Sequence, residues 1–559
     1  MRIAISSAVL LILFHCIPSM AEPRAPKPQE STQLLGHWPL AGDSRDASPH
    51  ALHGTVVGTV RWKTDPLAPT KASAEFDGRT GSIEIPASPA LSLGNHDFTL
   101  AAWVNLPADL DDLPGDLLSL YDPASRRGLH LSIKTNAGVT TTQANFRQLQ
   151  FGIDNDQGSE WEDAGRPGNA TLAFALAAHK GQLFAGACDH TNASKGHVYR
   201  YHSPSTWIDC GAPDESNAVT ALAEFNGELY AGTGKYRFGG SSLSESTNTN
   251  LGGGIYRYEA DGRWTACGKL DGVEAIGGMV VFDGNLYATS LYRPAGFFRF
   301  EGGTQWTALP TPGVRVEALG VHDGFLYATS YDGGRVFRFD GTNWSDCGQL
   351  GGTDENSQTY SFAVYQGRLY VGTWRSGKVY RFEEPGRWTD VGRLGEELEV
   401  MGMLVHNGRL IAGTLPLAEV YEYRGNQAWQ KLTRLDHTPD VVYRRAWTMA
   451  EFDGSLFCST LPSGRIYRYR AGISAMHGKA FPPGWHHVAA VRSGRQLVLY
   501  LDGKPVATSA EFEPDAFDIS SDAPLRIGSG ENDHFNGSIS DVRLYRGTLS
   551  ENEIRSLLN

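Results

Sequence analysis

Residues 316–348 read VEALGVHDGFLYATSYDGGRVFRFDGTNWSDCG. Four strand-like pieces lie within them, at 316–322, 325–330, 335–340 and 344–348, separated by turns rich in Gly, Asp and Asn. The same phrase recurs along the chain: a small-and-apolar strand, an aromatic, Asp/Asn-Gly-x-Leu-Tyr-Ala, a variable loop, an aromatic strand and a Trp. It is anchored at Gly181, Gly227, Gly284, Gly324, Gly367, Gly408 and Gly454, with gaps of 46, 57, 40, 43, 41 and 46 residues. Repeats of that length with four strands each are propeller blades; helical and leucine-rich repeats would carry helix-period stretches, and these do not.

The first strand of each unit states its own position. Six residues before the glycine stand Ala175, Ala221, Gly278, Ala318, Ser361, Gly402 and Thr448, and five before it Leu176, Leu222, Met279, Leu319, Phe362, Met403 and Met449. Alternation at period two is a strand with one small and one large face. Only the crowded inner strand of a blade needs that. The phrase WEDAG at 161–165 matches the fourth-strand phrase WTDVG at 388–392 but precedes the first full unit, whereas the seventh unit lacks a fourth strand. The early strand is therefore expected to complete the last blade and close a seven-bladed β-propeller over 158–472. The phrases are only loosely similar to kelch-like propellers and lack Asp-box signatures.

The flanks read as one sandwich cut in two. Before the repeats stand GHWPLAGDSRDASPHALHGTVVG (36–58), AEFDGRTGSIEIP (74–86) and LSLGNHDFTLAAWVN (91–105). After them stand PGWHHVAAVRSGRQLVLYLDGKPVA (483–507), PLRIGSG (524–530) and FNGSISDVRLYRGTLSENEI (535–554). Alternating strands joined by Asp-Gly turns make an antiparallel sandwich. In order, the strings resemble the laminin-G-like jelly-roll domains of the concanavalin A-like lectin/glucanase class. The expected fold is thus all-β: a concanavalin A-like jelly-roll sandwich (33–157 and 473–559) with an inserted seven-bladed β-propeller. A ring closed by its own two ends fits into a host loop, so each piece is expected to fold alone.

The resemblance also implies a structural calcium ion, for which Asp541 matches the carboxylate of the last long strand and Asp46 is the N-terminal candidate. The alternative is that both carboxylates cap turns. No organic cofactor is expected. The Glu-x-Asp-x-x-Glu strand motif of the class's glucanases is absent, and His486 and His487 stand in a strand motif that the class uses structurally.

Composition agrees with this organisation. Among 559 residues are 65 Gly and 28 Pro, 41% apolar and 11% aromatic residues, and a net charge of -13. That is a β-rich chain with ample core, and its acidity without any basic block argues against nucleic acid as partner. Residues 1–21, with Arg2, an apolar run at 3–14 and a small-x-small end at 19–21, read as a cleaved signal peptide, followed by a tether at 22–32. Localisation is expected to be secreted, periplasmic or cell-surface, with no membrane span.

Repeat alignment assigns the tempting residues. Cys210, Cys267 and Cys347 follow a strand-four Trp by three residues, where other blades carry Ala164, Leu309, Val391 and Leu432; they read as packing residues. Cys188 and Cys458 could pair across neighbouring blades. His179, His322 and His406 share a position with Phe225, Phe282, Tyr365 and Phe452 and read as packing aromatics.

One propeller face gathers the candidate ligand-binding residues: Tyr236, Arg237, Tyr292, Arg293, Trp374 and Arg375 in equivalent loops, Tyr331 and Asp332 in another, and Glu317 and Arg445 from incoming segments. Arg315, Glu399, Glu274, Glu355 and Arg444 lie in those segments as well. Aromatic plates beside arginine forks suit sugar rings bearing carboxylate or sulfate groups. The Gly/Ser/Thr/Asn-rich stretch 239–254 either covers this face or is an unstructured excursion. The resulting expectation is an exported binding protein for glycans or extracellular surface proteins. Its rivals are a polysaccharide hydrolase or lyase acting on the propeller face, and a structural surface module. No Ser-His-Asp, P-loop, zinc or dinucleotide motif appears.

Overall fold

The computed structural model describes residues 32–558 except 69 and 159; the expected signal and nearly all of the tether lie outside the described residues. The chain is all-β, a two-sheet sandwich carrying a seven-bladed propeller. The inner strands of the blades are Leu172–His179, Ala218–Phe225, Ile276–Phe282, Leu319–His322, Gln358–Tyr365, Glu399–His406 and Arg445–Phe452. Each turns into its second strand through a two-residue hairpin with both central residues at positive φ, as at Asp323 (51°) and Gly324 (77°). That is why Asp/Asn-Gly recurs there.

Ring closure runs through the early strand. Glu162 pairs with Arg468 and Asp163 with Tyr467, completing the seventh blade. The recurring Trp has a physical role: in every blade but the closing one, where Trp161 Nε1 is unpartnered, its indole N–H donates to a carbonyl of the preceding blade. Trp207 reaches Ala164 O at 2.9 Å, Trp264 Cys210 O at 2.9 Å, Trp306 Cys267 O at 2.8 Å and Trp388 Cys347 O at 2.8 Å. The Ala164 bond makes blade seven the predecessor of blade one. The five described cysteines are buried free thiols, so Cys188 and Cys458 are not paired.

Both sandwich sheets interleave the two halves of the chain. Phe98–Leu106 lies between Asn536–Arg546 and Gly484–Ser493 in one, and Leu525–Ile527 lies between Ser82–Ile85 and Gly115–Asp122 in the other. Neither half has a complete sheet without the other. The chain enters and leaves the propeller side by side, with Gly158 paired to Ala471.

One feature is foreign to the expected sandwich. The strands Arg127–Val139 and Thr142–Gly158 form a hairpin whose tip enters the propeller axis. Thr142 Oγ1 donates to Leu222 O at 2.7 Å, Met279 N donates to Thr141 O at 3.0 Å, and Thr448 Oγ1 donates to Val139 O at 2.9 Å. Val139 is 1% exposed and packs with Leu176 and Met449. Gly138 (φ 75°) passes so close to Leu319 and Phe362 that a Cβ there would sit 3.0 Å from both. On the sandwich side of its tip the hairpin lies level with the last residues of the inner strands, where Asn145 exchanges two hydrogen bonds with the Glu451 backbone. The axis is therefore filled from the sandwich side up to about its middle.

The seam between the two folds is charged. Arg409 holds Asp154 in a two-pronged pair at 2.8 Å, Arg126 meets Glu422 at 2.6 Å, and Lys134 pairs with Glu451. Here the reading of the histidines as packing aromatics needs correction. His179 Nδ1 lies 2.8 Å from Glu224 and His406 Nδ1 2.8 Å from Glu451, in each case an acid three residues before the next blade's turn glycine. Local pattern marks a buried ring at this position; whether it meets a carboxylate depends on the neighbouring blade.

Candidate functional site at the propeller axis

Beyond the hairpin tip, the axis is lined by residues nine and seven positions before each turn glycine. Blades four to seven supply Arg315, Gln358, Glu399 and Arg445 from the first register and Glu317, Tyr360, Met401 and Trp447 from the second. Blades one to three supply mostly small or apolar residues there: Leu172 with Phe174, Ala218 with Thr220, and Ala275 with Gly277. The 239–254 stretch fills the space this leaves. Phe238 is fully buried against Tyr236, whose ring packs on Phe174 at 5.0 Å, and Asn248 bonds to carbonyls of Ser194 and Glu215. The start of the stretch lies on part of the face, with Leu243 packed on the axial cluster and Ser241 accepting from Arg445.

What remains is a cavity of about 330 Å³, at the small end of the usual range for ligand sites, about 300–1,000 Å³. Its wall is aromatic, from Tyr236, Tyr292, Tyr331, Tyr360, Trp374, Tyr443 and Trp447, and its charged groups are Arg237, Arg315, Arg445 and Glu399. Two of these arginines are committed to the protein. Arg237 pairs with Glu274 at 2.5 Å over the Tyr292 ring, and Arg315 pairs with Asp332 at 2.9 Å over Tyr331.

Arg445 differs. It is 6% exposed, its guanidinium carbon lies 5.6 Å from the ring centres of both Tyr443 and Trp447, and it donates to Ser241 Oγ at 2.7 Å. Its Nε has no hydrogen-bond partner, nor do both oxygens of Glu317 or Oε1 of Glu399. Burial drives the Glu317 carboxyl well above its usual range, reinforced by Glu399 and opposed by Arg445. Glu399 rises to about 7 through burial, opposed by Arg445 and Tyr360. Glu317 is thus shifted towards its neutral form, and Glu399 is close to half-charged near pH 7.

Of the ten candidates, the cavity brings together Tyr236, Arg237, Tyr292, Tyr331, Trp374 and Arg445. Glu317, 1% exposed, does not line its wall, and Arg293 and Asp332 pair with each other at 3.0 Å outside it. Arg375 is exposed and also outside. Gln358, Tyr360, Tyr443 and Trp447 were not anticipated. For Gln358, Tyr360 and Trp447 the signal was present, because they occupy the same two repeat registers as Glu399 and Glu317.

At the sandwich edge, Asp46 accepts from the backbone of His37, Ser48 and Leu52 at 2.7–2.8 Å and from Ser48 Oγ at 2.7 Å. Asp541 meets His37 Nε2 at 2.7 Å and Arg543 at 3.0 Å. The backbone partners of Asp46 are those of a turn-capping carboxylate, whereas Asp541 is held by two side chains. His487 packs on Trp103 at 5.4 Å, and burial takes its imidazole down to about 4; His486 bonds to Asp502 at 2.8 Å.

In comparison with known proteins, the family model for the concanavalin A-like lectin/glucanases superfamily matches residues 427–555. It covers the second half of the sandwich and runs upstream into strands of the last two blades. No curated relative matches the chain in sequence. Among solved structures, a streptogramin B lyase is 11% identical with a TM-score of 0.44, over 56% of this chain and 98% of that one. Virginiamycin B lyase from Staphylococcus aureus (10%, 0.44, 56% and 99%) and the WD40 β-propeller domain of Doa1 (10%, 0.41, 56% and 97%) are similar to the same degree. These similarities concern the fold alone. Among the described residues, no helix is long and apolar enough to cross a membrane.

Proposed function

We propose that this chain is an exported carbohydrate-binding protein whose axial propeller cavity holds an acidic sugar unit, with the lectin-like sandwich as its partner module. The observation that carries the reading is the unpartnered Nε of buried Arg445, set between Tyr443 and Trp447. Aromatic faces suit the apolar faces of a sugar ring, and a guanidinium with free donor capacity suits a carboxylate or sulfate. Arg445→Met is expected to cost about 2 kcal/mol or more of binding, roughly a 30-fold loss of retention on an immobilised uronate- or sulfate-bearing glycan. Retention unchanged in this variant removes the site.

Charge at Glu399 gives a second handle. With its carboxyl raised to about 7, the group is neutral below that pH and anionic above it. Retention of an acidic glycan is therefore expected to fall as pH rises through 7, and Glu399→Gln is expected to flatten the profile. A wild-type profile that is flat between pH 6 and 8 counts against this placement.

The same carboxyl supports the rival reading. A buried acid near neutrality beside a second one suits general acid–base catalysis, so a hydrolase or lyase is the alternative. Incubation with a polysaccharide panel separates the two: new reducing ends or unsaturated uronates favour the enzyme, and retention without turnover favours the binding protein.

A further inference from the structure

We infer that Asp112, His322 and Asp533 form a binding site for one divalent transition-metal ion that staples the propeller to the sandwich. The three residues come from a loop of the first sandwich half, the end of the fourth blade's inner strand and a loop of the second half. One ligand atom from each lies within 4.8 Å of the others.

The repeat explains why this position is exceptional. His179 and His406 each face a glutamate on the following blade, three residues before its turn glycine. After His322 that register holds Val364, and the sandwich delivers two aspartates instead. His322 Nδ1 and Asp533 Oδ2 are 3.9 Å apart, too far for a hydrogen bond. Asp112 Oδ2, His322 Nδ1 and Asp533 Oδ2 all lack hydrogen-bond partners, although the residues are 6%, 3% and 2% exposed. Three converging buried polar atoms without partners are costly, and an ion at about 2.0–2.2 Å from each would satisfy all of them.

The surroundings orient the same three atoms. Asp112 Oδ1 accepts from Leu113 N and Asp533 Oδ1 from His534 N, each at 2.8 Å, which leaves one oxygen of each carboxylate turned inward. On its far side, His322 Nε2 lies 3.5 Å from Asp323 Oδ2. One imidazole with two carboxylates suits Zn²⁺ or Mn²⁺; Ca²⁺ takes six to eight oxygens.

The test is a titration of the chelator-treated full-length chain with Zn²⁺ and with Mn²⁺, followed by calorimetry and thermal melting. The expected result is one equivalent bound at micromolar Kd or tighter and a melting temperature raised by several degrees. His322→Phe places here the residue that three other blades carry, so it should fold and lose both the equivalent and the thermal response. Asp533→Asn should weaken binding at least tenfold. Absence of stoichiometric binding by both metals overturns the inference, and so does a His322→Phe protein that keeps the same equivalent and thermal response.

Discussion

Lys134→Met is expected to destabilise the folded chain by about 3–5 kcal/mol, the usual cost of stranding one member of a buried ion pair. Lys134 stands on the hairpin that enters the propeller, and its ammonium bonds to Glu451 and to Val405 O. Glu451 is 1% exposed; besides Lys134 it accepts from His406 at 2.8 Å and from Gln150 at 3.2 Å. Burial alone would raise the Glu451 carboxyl, but Lys134 and His406 outweigh it and hold the group down at about 2. A carboxyl depressed on folding contributes stability above its unfolded value, near 4.5, and loses it as pH falls towards 2. The deficit of Lys134→Met should therefore be full at pH 7 and shrink between about pH 4.5 and 2. Urea unfolding at pH 7 and pH 3 measures both. A loss under 1 kcal/mol, or one that does not change with pH, would show that this pair does not hold the seam.

Propeller residues 158–472 expressed alone are expected not to reach a stable fold, which reverses the expectation drawn from the repeats. Ring closure is complete within that segment, but its axis is not. Without the hairpin, Glu451 loses Lys134, at about 3–5 kcal/mol, and Met279 N and Thr448 Oγ1 lose their acceptors at about 1–3 kcal/mol each. The apolar packing of Val139 adds about 1.5–3 kcal/mol. Together these rival the whole stability of a typical domain, about 5–15 kcal/mol. Circular dichroism and thermal melting of the isolated segment provide the check. A cooperative transition at the temperature of the intact chain would mean that the plug is dispensable.

The sequence by itself determined everything that repeats or alternates. Seven x-Gly turns, five of them Asp-Gly or Asn-Gly, the small faces of the inner strands and the strand-four Trp are local requirements. The phrase at 161–165 placed the closing strand because blades share one pattern. The sandwich strings on either side declared a split fold for the same reason. Six of the ten candidate ligand residues line one cavity because equivalent blade loops must gather at one end of the axis.

Tertiary structure alone decided where polar residues are buried. The hairpin tip, Asn136 to Asn145, contains three threonines and two asparagines and reads as a solvated turn; it is buried because its hydroxyls and amides meet inner-strand backbone some 80 to 300 residues away. His322 looked like its aromatic equivalents until Asp112 and Asp533 arrived from both ends of the chain. A polar side chain tolerates burial only through its partner, and no local period records a partner brought from so far along the sequence.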